Sequence, residues 1–429
     1  MIRILYVERP RSVGGSVISL FHLVANLNRA VYEPLVLFHR PNPYGDRFKA
    51  IGVPVITLND TPTGAVPPAQ QAHQRDIAAT LSQYSHAAAT GYRTAKFIYH
   101  LLCAELPLAR RIRRVIEAQA VDLVHANNSL PNNRPSVLAA RWAAVPVICH
   151  FRMFKTINAF DRWLGRHAAA HVYISKSVAD HHIAQGLPAE KARVIYNAVD
   201  LSQFDPAMDS AAVRREFGLQ PEHLVVGNVG RLDWWKGHDV FLRAVASLAG
   251  HMPGLYALVV GGVDNEPVNQ AYAADLRALT RELLLSERVI FAGHRDDVPS
   301  ILPALDLVVH SATQPEPFGR VVIEALSARR PVVAAAAGGV PEIVEDGIEG
   351  LLVPPGDVGA LAGAMATLLS DGKKAKAMAQ AGYQRVCRQF TVQKQVSAVQ
   401  TLYQSVLAAQ GSAMAGSLRV GSRADKEIC

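Results

Sequence analysis

At 429 residues, half of them apolar, the chain is too long for one ordinary core and suits two. Its net charge of +8 calls for an anionic partner. Without a nucleic-acid module or an aromatic-interleaved basic strand, phosphorylated substrate or anionic lipid headgroups fit better than nucleic acid. No window reaches the roughly 18–20 uninterrupted apolar residues of a membrane span. Cys103, Cys149, Cys387 and Cys429 have no ligand or framework spacing and read as reduced thiols in a cytoplasm.

Ile2–Val7 reads as a buried strand, without the longer apolar core and cleavage site of a signal peptide. Ser12-Val13-Gly14-Gly15-Ser16 follows, then a helical pattern over Val17–Leu27. The glycine pair either lets a ligand approach the backbone at a helix N-terminus or serves a turn that needs positive φ. It is not G-x-G-x-x-G, so the dinucleotide fingerprint is absent. Strands are expected at Leu35–Phe38 and Val53–Leu58, a loop at Asp60–Pro68, and a long, mostly helical stretch over Gln70–Ala120. Within it, Ala95–Ile116 sets Lys96, Arg110, Arg111, Arg113 and Arg114 among apolar residues, and Pro107 is expected to break it in two. Such a stretch suits an anionic membrane surface, or a core-packed helix with a solvated basic face.

Strands predicted at Val121–His125 and Pro146–His150 end in polar groups, His125-Ala126-Asn127-Asn128 and His150-Phe151-Arg152. These would project at the C-terminal edge of a parallel sheet, where open α/β sheets bind ligands. Arg152 and Lys155 add basic groups to the segment that follows. Val172–Ser177 reads as a strand opening a helix, with Ser175 as its N-cap.

The second half repeats the pattern. Leu224–Val229 leads into Gly230-Arg231-Leu232-Asp233-Trp234-Trp235-Lys236-Gly237, where Arg and Lys five apart in a glycine-bounded loop can converge on one diphosphate. Tyr256–Val260 and Val289–Ala292 are further strands, the latter ending in Gly293-His294-Arg295, with Asp296 and Asp297 placed to cap the next helix. Leu305–His310 is a strand and Val321–Arg329 a helix. Between them, Glu316-Pro317-Phe318-Gly319-Arg320-Val321-Val322-Ile323-Glu324 carries two carboxylates separated by seven residues. Glu316 falls in the loop and Glu324 about two turns into the helix, with a helix N-terminus between them. That suits a ligand with hydroxyls at both ends and phosphates in the middle. Gly338-Gly339-Val340-Pro341-Glu342 forms a second glycine-rich turn.

With these three motifs together, the second half resembles the nucleotide-binding domain of the retaining glycosyltransferases of family 4. The resemblance implies an α/β chain of GT-B fold: two Rossmann-like doubly wound parallel-sheet domains facing an interdomain cleft. Residues 1–204 would form an acceptor-binding domain and 205–390 a nucleotide-sugar-binding domain, with a helix over 391–410 crossing back. The Gly/Ser/charge-rich tail 411–429 reads as disordered. The implied reaction is transfer of a hexose, with retention, from a UDP- or GDP-linked donor to a glycan or lipid-linked acceptor. Its setting would be bacterial polysaccharide or glycolipid synthesis in the cytoplasm or at the inner membrane face.

By that resemblance Gly14 and Gly15 lie near the donor phosphates and sugar, and Gly293, His294 and Arg295 near the base. Glu324 would take the ribose hydroxyls and Glu316 those of the donor sugar. Backbone N–H groups over Phe318, Gly319, Arg320, Val321 and Val322 would meet sugar and phosphate. Arg231 and Lys236 would neutralise the leaving diphosphate, and no Asp-x-Asp motif calls for a metal. His150 matches a family histidine. After strand 4, however, Asn127 stands where many members have a second histidine, which leaves His125, Asn127 and Arg152 as acceptor-side candidates. No cofactor beyond the nucleotide-sugar is implied. The alternatives are a degraded GT-B protein acting as a binding subunit, and a nucleotide-sugar epimerase. An NAD-dependent oxidoreductase lacks its fingerprint in either half.

Overall fold

A computed structural model describes residues 1–9, 14–58, 86–204, 210–264 and 266–424. The chain forms two compact units. The first comprises residues 1–173, 181–193 and 398 onward, and the second residues 174–180 and 194–397. Among the described residues no helix is long and apolar enough to cross a membrane.

The first unit holds seven strands: β1 (Ile2–Glu8), β2 (Tyr32–Phe38), β3 (Val55–Thr57), β4 (Leu123–Asn127), β5 (Val147–Phe151), β6 (Ala170–Tyr173) and β7 (Ala192–Val194). They are ordered β3-β2-β1-β4-β5-β6-β7. Each pair from β3 to β6 is parallel. Successive residues of these strands are buried on both faces, which is why they read as near-continuous apolar runs rather than alternating ones. The order reverses between β1 and β4. That is the switch point at which such sheets open a crevice beyond their C-terminal ends.

The second unit repeats the design with β8 (Leu224–Val229), β9 (Leu255–Val260), β10 (Val289–Gly293), β11 (Leu307–His310), β12 (Val332–Ala335) and β13 (Leu351–Val353), ordered β10-β9-β8-β11-β12-β13. All five pairs are parallel. Here the switch point lies between β8 and β11. The loop after β8 carries Arg231 and Lys236, and the loop after β11 carries Glu316. One face of the sheet is closed by the helices His238–Ala249 and Val358–Ser370, whose Phe241, Val245, Leu361 and Met365 are buried with Val226, Val259 and Leu307.

Three sequence expectations are corrected. Strands 4 and 5 run on to Asn127 and Phe151, so His125 lies inside β4 rather than at its projecting end. The ladder carries them there, because Asn127 still pairs in register with His150. Pro107 does not break its helix. His86–His100 passes into a π-helical turn, Leu101–Glu105, and then into Leu106–Ala118. The wider turn precedes a residue that has no N–H to give, and the helix goes on with Pro107 in its first turn. Finally, the last helix, Val392–Ala424, runs past Gly411 through most of the segment expected to be disordered, a stretch that includes the helix-favouring Ala413, Met414, Ala415, Leu418 and Arg419. Residues 425–429 lie outside the described residues, as do the expected loop over 60–68 and the start of the expected helix at 70.

The π turn brings Glu105 into a buried ion cluster. Arg134 forks onto Asp161 (Nε–Oδ1 2.6 Å, Nη2–Oδ2 2.9 Å) and reaches Glu105 Oε1 at 3.3 Å. Both carboxylates are almost fully buried. Arg134→Met removes their shared cation and should cost about 3–5 kcal/mol. Urea unfolding followed by circular dichroism checks this, and a loss under about 1 kcal/mol would show that the cluster does not hold the first unit together.

Candidate functional site

In the second unit the loop after β11 is fixed at Glu316. A bridge pairs Glu316 with Gly338, and the Gly339 N–H donates to the Glu316 carbonyl at 2.8 Å. Gly338 has φ +67°, and a Cβ there would stand 2.0 Å from that carbonyl oxygen, so only glycine fits. This assigns a physical role to the Gly338-Gly339 motif.

The Glu316 side chain is 12% exposed and meets Lys236 Nζ at 2.5 Å and His310 Nε2 at 3.4 Å. Burial alone would raise its pKa. Lys236 and His310 outweigh burial and draw it from the ordinary 4.5 down to about 2. Lys236 also sits over the Trp235 ring, 4.2 Å from its centroid.

Arg231 is half exposed and paired with Asp233 (2.7 Å) and Asp264 (3.4 Å). The Asn269 amide donates to both carboxylates, at 2.9 and 3.0 Å. Burial pushes the Asp233 carboxyl up, against the pull of Arg231. The two cations assigned to phosphate thus each hold a carboxylate. Asp233, Asp264, Asn269 and His310 were not singled out from the sequence. Asp233 lay inside the motif and was legible; Asp264 and Asn269 carry no local signal.

The helix after the loop is Arg320–Ser327, so Glu324 is its fifth residue and sits just past the first turn, not the second. Glu324 accepts from Arg320 Nη2 at 2.9 Å. Gly319, at φ +102°, starts the helix, and its carbonyl accepts from Val322 N–H at 3.0 Å. The Phe318 ring is buried near Tyr196 and Phe390, which leaves only its backbone for a ligand. Val321 is half-buried in the first turn.

Around β10, Gly293 has φ +70° and His294 is exposed beside Asp296. Arg295 is engaged by Asp297 and Glu216 and lies over Phe217. Asp297 therefore serves Arg295 and does not cap the helix Val298–Ile301 with its side chain, a correction to the sequence expectation. Pro299 in that first turn removes one N–H that a cap would satisfy.

In the first unit Gly14 caps the helix Gly15–Ala25 with an ordinary extended backbone (φ −150°), and an added Cβ would meet nothing within 4 Å. Neither strain nor packing asks for glycine there, so the turn reading falls away and room for a ligand remains. Residues 10–13 of the loop lie outside the described residues.

Behind this turn runs a buried polar line. Asn127 donates to Glu8 Oε2, and its Oδ1 accepts from Arg152 Nε at 2.7 Å. Arg152 Nη2 lies 3.4 Å from His150 Nδ1. His150 Nδ1 is 3.1 Å from His125 Nε2, and His125 Nδ1 is 2.6 Å from the Tyr403 hydroxyl. Burial and the neighbouring Arg152 hold His125 at about 3 and His150 well below its ordinary range, so both rings are neutral at physiological pH. Burial pushes the Glu8 carboxyl up, against hydrogen bonds led by Asn127. His125 is thus interior, with no face toward an acceptor. Glu8 and Tyr403 were missed, since neither stands in a motif and Tyr403 is 278 residues from His125.

Two family profiles match the chain: the glycosyl transferase 4-like domain over residues 14–198, and glycosyl transferases group 1 over residues 209–385. The chain belongs to glycosyltransferase family 4. It has that family's GT-B fold. It is 36% identical over 258 residues to a protein of Mycobacterium sp. (strain JLS) named D-inositol 3-phosphate glycosyltransferase, a match covering 59% of this chain and 55% of the relative. It is 29% identical over 216 residues to the lipopolysaccharide core biosynthesis mannosyltransferase LpsB of Rhizobium meliloti (strain 1021), covering 50% and 61%. The chain therefore spans little more than half the length of these curated relatives. The crystal structure of Anabaena HepE with UDP and glucose superposes with a TM-score of 0.77 at 25% identity, covering 94% of this chain and all of that one.

The depressed Glu316 pKa makes a pH prediction. Its ion pair contributes stability that is complete above about pH 4.5 and is lost as the pH falls toward 2. Lys236→Ala strands a buried carboxylate and should cost about 3–5 kcal/mol at pH 7, with a smaller gap from wild type at pH 3. Urea titrations at the two pH values measure both gaps. A gap that does not narrow in acid would place the effect elsewhere.

Proposed function

We propose that the chain is a retaining, metal-independent glycosyltransferase that moves a hexose from a UDP-sugar to a polyol, glycan or glycolipid acceptor. The observation that carries this is the switch-point arrangement of the second unit. Arg231 is held by carboxylates that a diphosphate would replace, Lys236 stands beside Glu316, and Glu316 and Glu324 flank a helix N-terminus. Family membership and the UDP and glucose bound by HepE support the donor class.

In this reading the helix N-terminus at Arg320–Val321 receives the distal phosphate and Glu324 the ribose hydroxyls. Glu316, kept ionised by Lys236, orients the donor sugar by accepting from its hydroxyls. Arg231 and Lys236 stabilise the charge that develops on the leaving UDP, the work a divalent metal does in other transferases. The sugar–phosphate bond breaks and the acceptor oxygen bonds the same face of the anomeric carbon, its proton passing to the leaving phosphate. Glu316 forms no covalent intermediate.

The membrane is part of the same proposal. On the helices over 86–118, Ile98, Tyr99 and Leu102 are exposed beside Arg93 and Lys96, while Arg110, Arg113 and Arg114 face solvent. Phe97 packs on Phe160, Phe160 stacks on the half-exposed Trp163, and Arg141 lies over Trp163. An apolar face with aromatic and basic flanks suits the headgroup region of an anionic bilayer.

UDP and UDP-hexoses should raise the melting temperature, with GDP and ADP weaker and EDTA without effect. Arg231→Ala should lower transfer roughly 10²–10³-fold with the fold intact. No shift with any nucleotide, or activity abolished by EDTA and restored by Mg²⁺, would overturn the reading. The protein should sediment with anionic vesicles and stay in the supernatant with neutral ones. Equal recovery from both would remove the membrane from the proposal.

A further inference from the structure

We propose that Ser175 is a positioning residue for the donor sugar. By holding the Pro317 carbonyl, it keeps the Phe318 N–H turned the opposite way, as a fixed donor to an oxygen of the sugar. The inference rests on the reading above that the second unit binds a nucleotide-sugar.

Residues 174–180 belong to the second unit, and the helix Lys176–Ile183 begins there. Its first turn is held by a carboxylate distant in sequence. Glu342 accepts from the Lys176 N–H at 2.7 Å and from the Ser177 N–H at 2.9 Å, one through each oxygen. Arg385 in turn donates to the Glu342 carbonyl at 3.1 Å. Ser175 is the N-cap expected from the sequence, and its hydroxyl accepts from the Val178 N–H at 3.1 Å. The hydroxyl proton goes to Pro317 O, at 2.7 Å. Both directions are fixed, since an N–H only donates and a carbonyl only accepts.

Gly339 closes in on the same peptide. A Cβ there would stand 2.8 Å from Pro317 O, 2.9 Å from Phe318 Cα and 3.1 Å from Ser175 Cβ. The Gly339 N–H holds the preceding carbonyl, that of Glu316. The peptide joining Pro317 to Phe318 is trans, so its C=O and N–H point opposite ways. Fixing the carbonyl therefore fixes the N–H. Among the described residues the Phe318 N–H donates to no group, and a backbone N–H left unpaired calls for an acceptor. It stands two residues from Glu316, which meets the sugar in the reading above. Rotating this peptide plane would present a carbonyl there instead, and set a lone pair against the lone pairs of a ligand oxygen. Ser175 opposes that rotation.

Pro317-Phe318 is the only Pro–Phe pair in the chain. Protein labelled with ¹³C-carbonyl proline and ¹⁵N-phenylalanine therefore gives one signal in a carbonyl-to-amide correlation spectrum, and that signal reads both ends of this peptide. Ser175→Ala removes the hydroxyl and Ser175→Thr keeps it. Glu342→Gln loosens the first turn and leaves Ser175 in place.

Without any ligand, Ser175→Ala should move the Pro317 carbonyl upfield, as a carbonyl that loses a hydrogen bond does, and Ser175→Thr should not. UDP-glucose should move the wild-type Phe318 amide proton downfield, and UDP should not. Affinity for UDP-glucose should fall roughly three- to ten-fold in Ser175→Ala, with UDP affinity unchanged and Ser175→Thr like the wild type. Loss of a helix cap alone would lower the melting temperature and leave the ratio of the two affinities as it was, and that result overturns the positioning role. A Pro317 carbonyl unmoved in Ser175→Ala overturns the contact itself. An amide proton that answers to UDP as it does to UDP-glucose overturns the sugar contact. A wild type that binds no nucleotide refutes the functional reading, and the carbonyl signal still decides whether Ser175 holds the loop. If Ser175→Ala fails to fold, Glu342→Gln carries the test, with the same carbonyl shift and the same selective loss of UDP-glucose affinity expected.

Discussion

A carboxylate that has lost nearly all its water stays charged only beside a cation, and the second unit is arranged around that constraint at Glu316. Lys236 comes from the loop after β8 and Glu316 from the loop after β11, so their ion pair spans the switch point. Further bonds hold the two loops in register. The Thr313 N–H donates to Trp235 O at 2.9 Å, and the Ser311 hydroxyl, which accepts from Asn228, lies 2.7 Å from Gly237 O. Gly237 is left-handed, and a Cβ on it would stand 2.0 Å from the Ser311 carbonyl oxygen. The two loops therefore behave as one surface, and the positions of both cations follow from it. In the proposed function an incoming diphosphate meets positive groups already aimed, with weakly attached surrogates to displace at the exposed Arg231 and with Lys236 held beside Glu316.

This constraint is also why the second unit was legible from sequence. Its chemistry lies within a few residues of strand ends, and the strands are apolar runs bounded by glycines. Glu316, Glu324, Arg231 and Lys236 could each be placed on a loop or helix from local pattern alone. What the pattern could not give was partners. That Lys236 holds Glu316, 80 residues away, depends on which strands are neighbours, and periodicity carries no strand order.

The first unit was legible only in outline. Its sheet was read correctly in kind, but β4 runs two residues further than predicted, and with a two-residue side-chain period that shift keeps the facing yet moves the end. His125 consequently passes from the rim to the interior. The partners that define its chemistry come from β5 and from the last helix. Pro107 was misread because propensity treats proline as a stop, whereas a π turn accommodates it and brings Glu105 to Arg134.

Asn127 takes on meaning in this setting. It stands where the family pattern has a second histidine, and an amide differs from an imidazole in having no tautomer to choose and no proton to gain. Arg152 can only donate, so Asn127 must turn Oδ1 toward it, and Nδ2 then faces Glu8. The amide separates a buried carboxylate from a buried guanidinium and satisfies part of each. A third titrating ring here would have added a second undecided group beside His150. With Asn127 the line has a fixed polarity at the Arg152 end, and only His125 and His150 retain a choice.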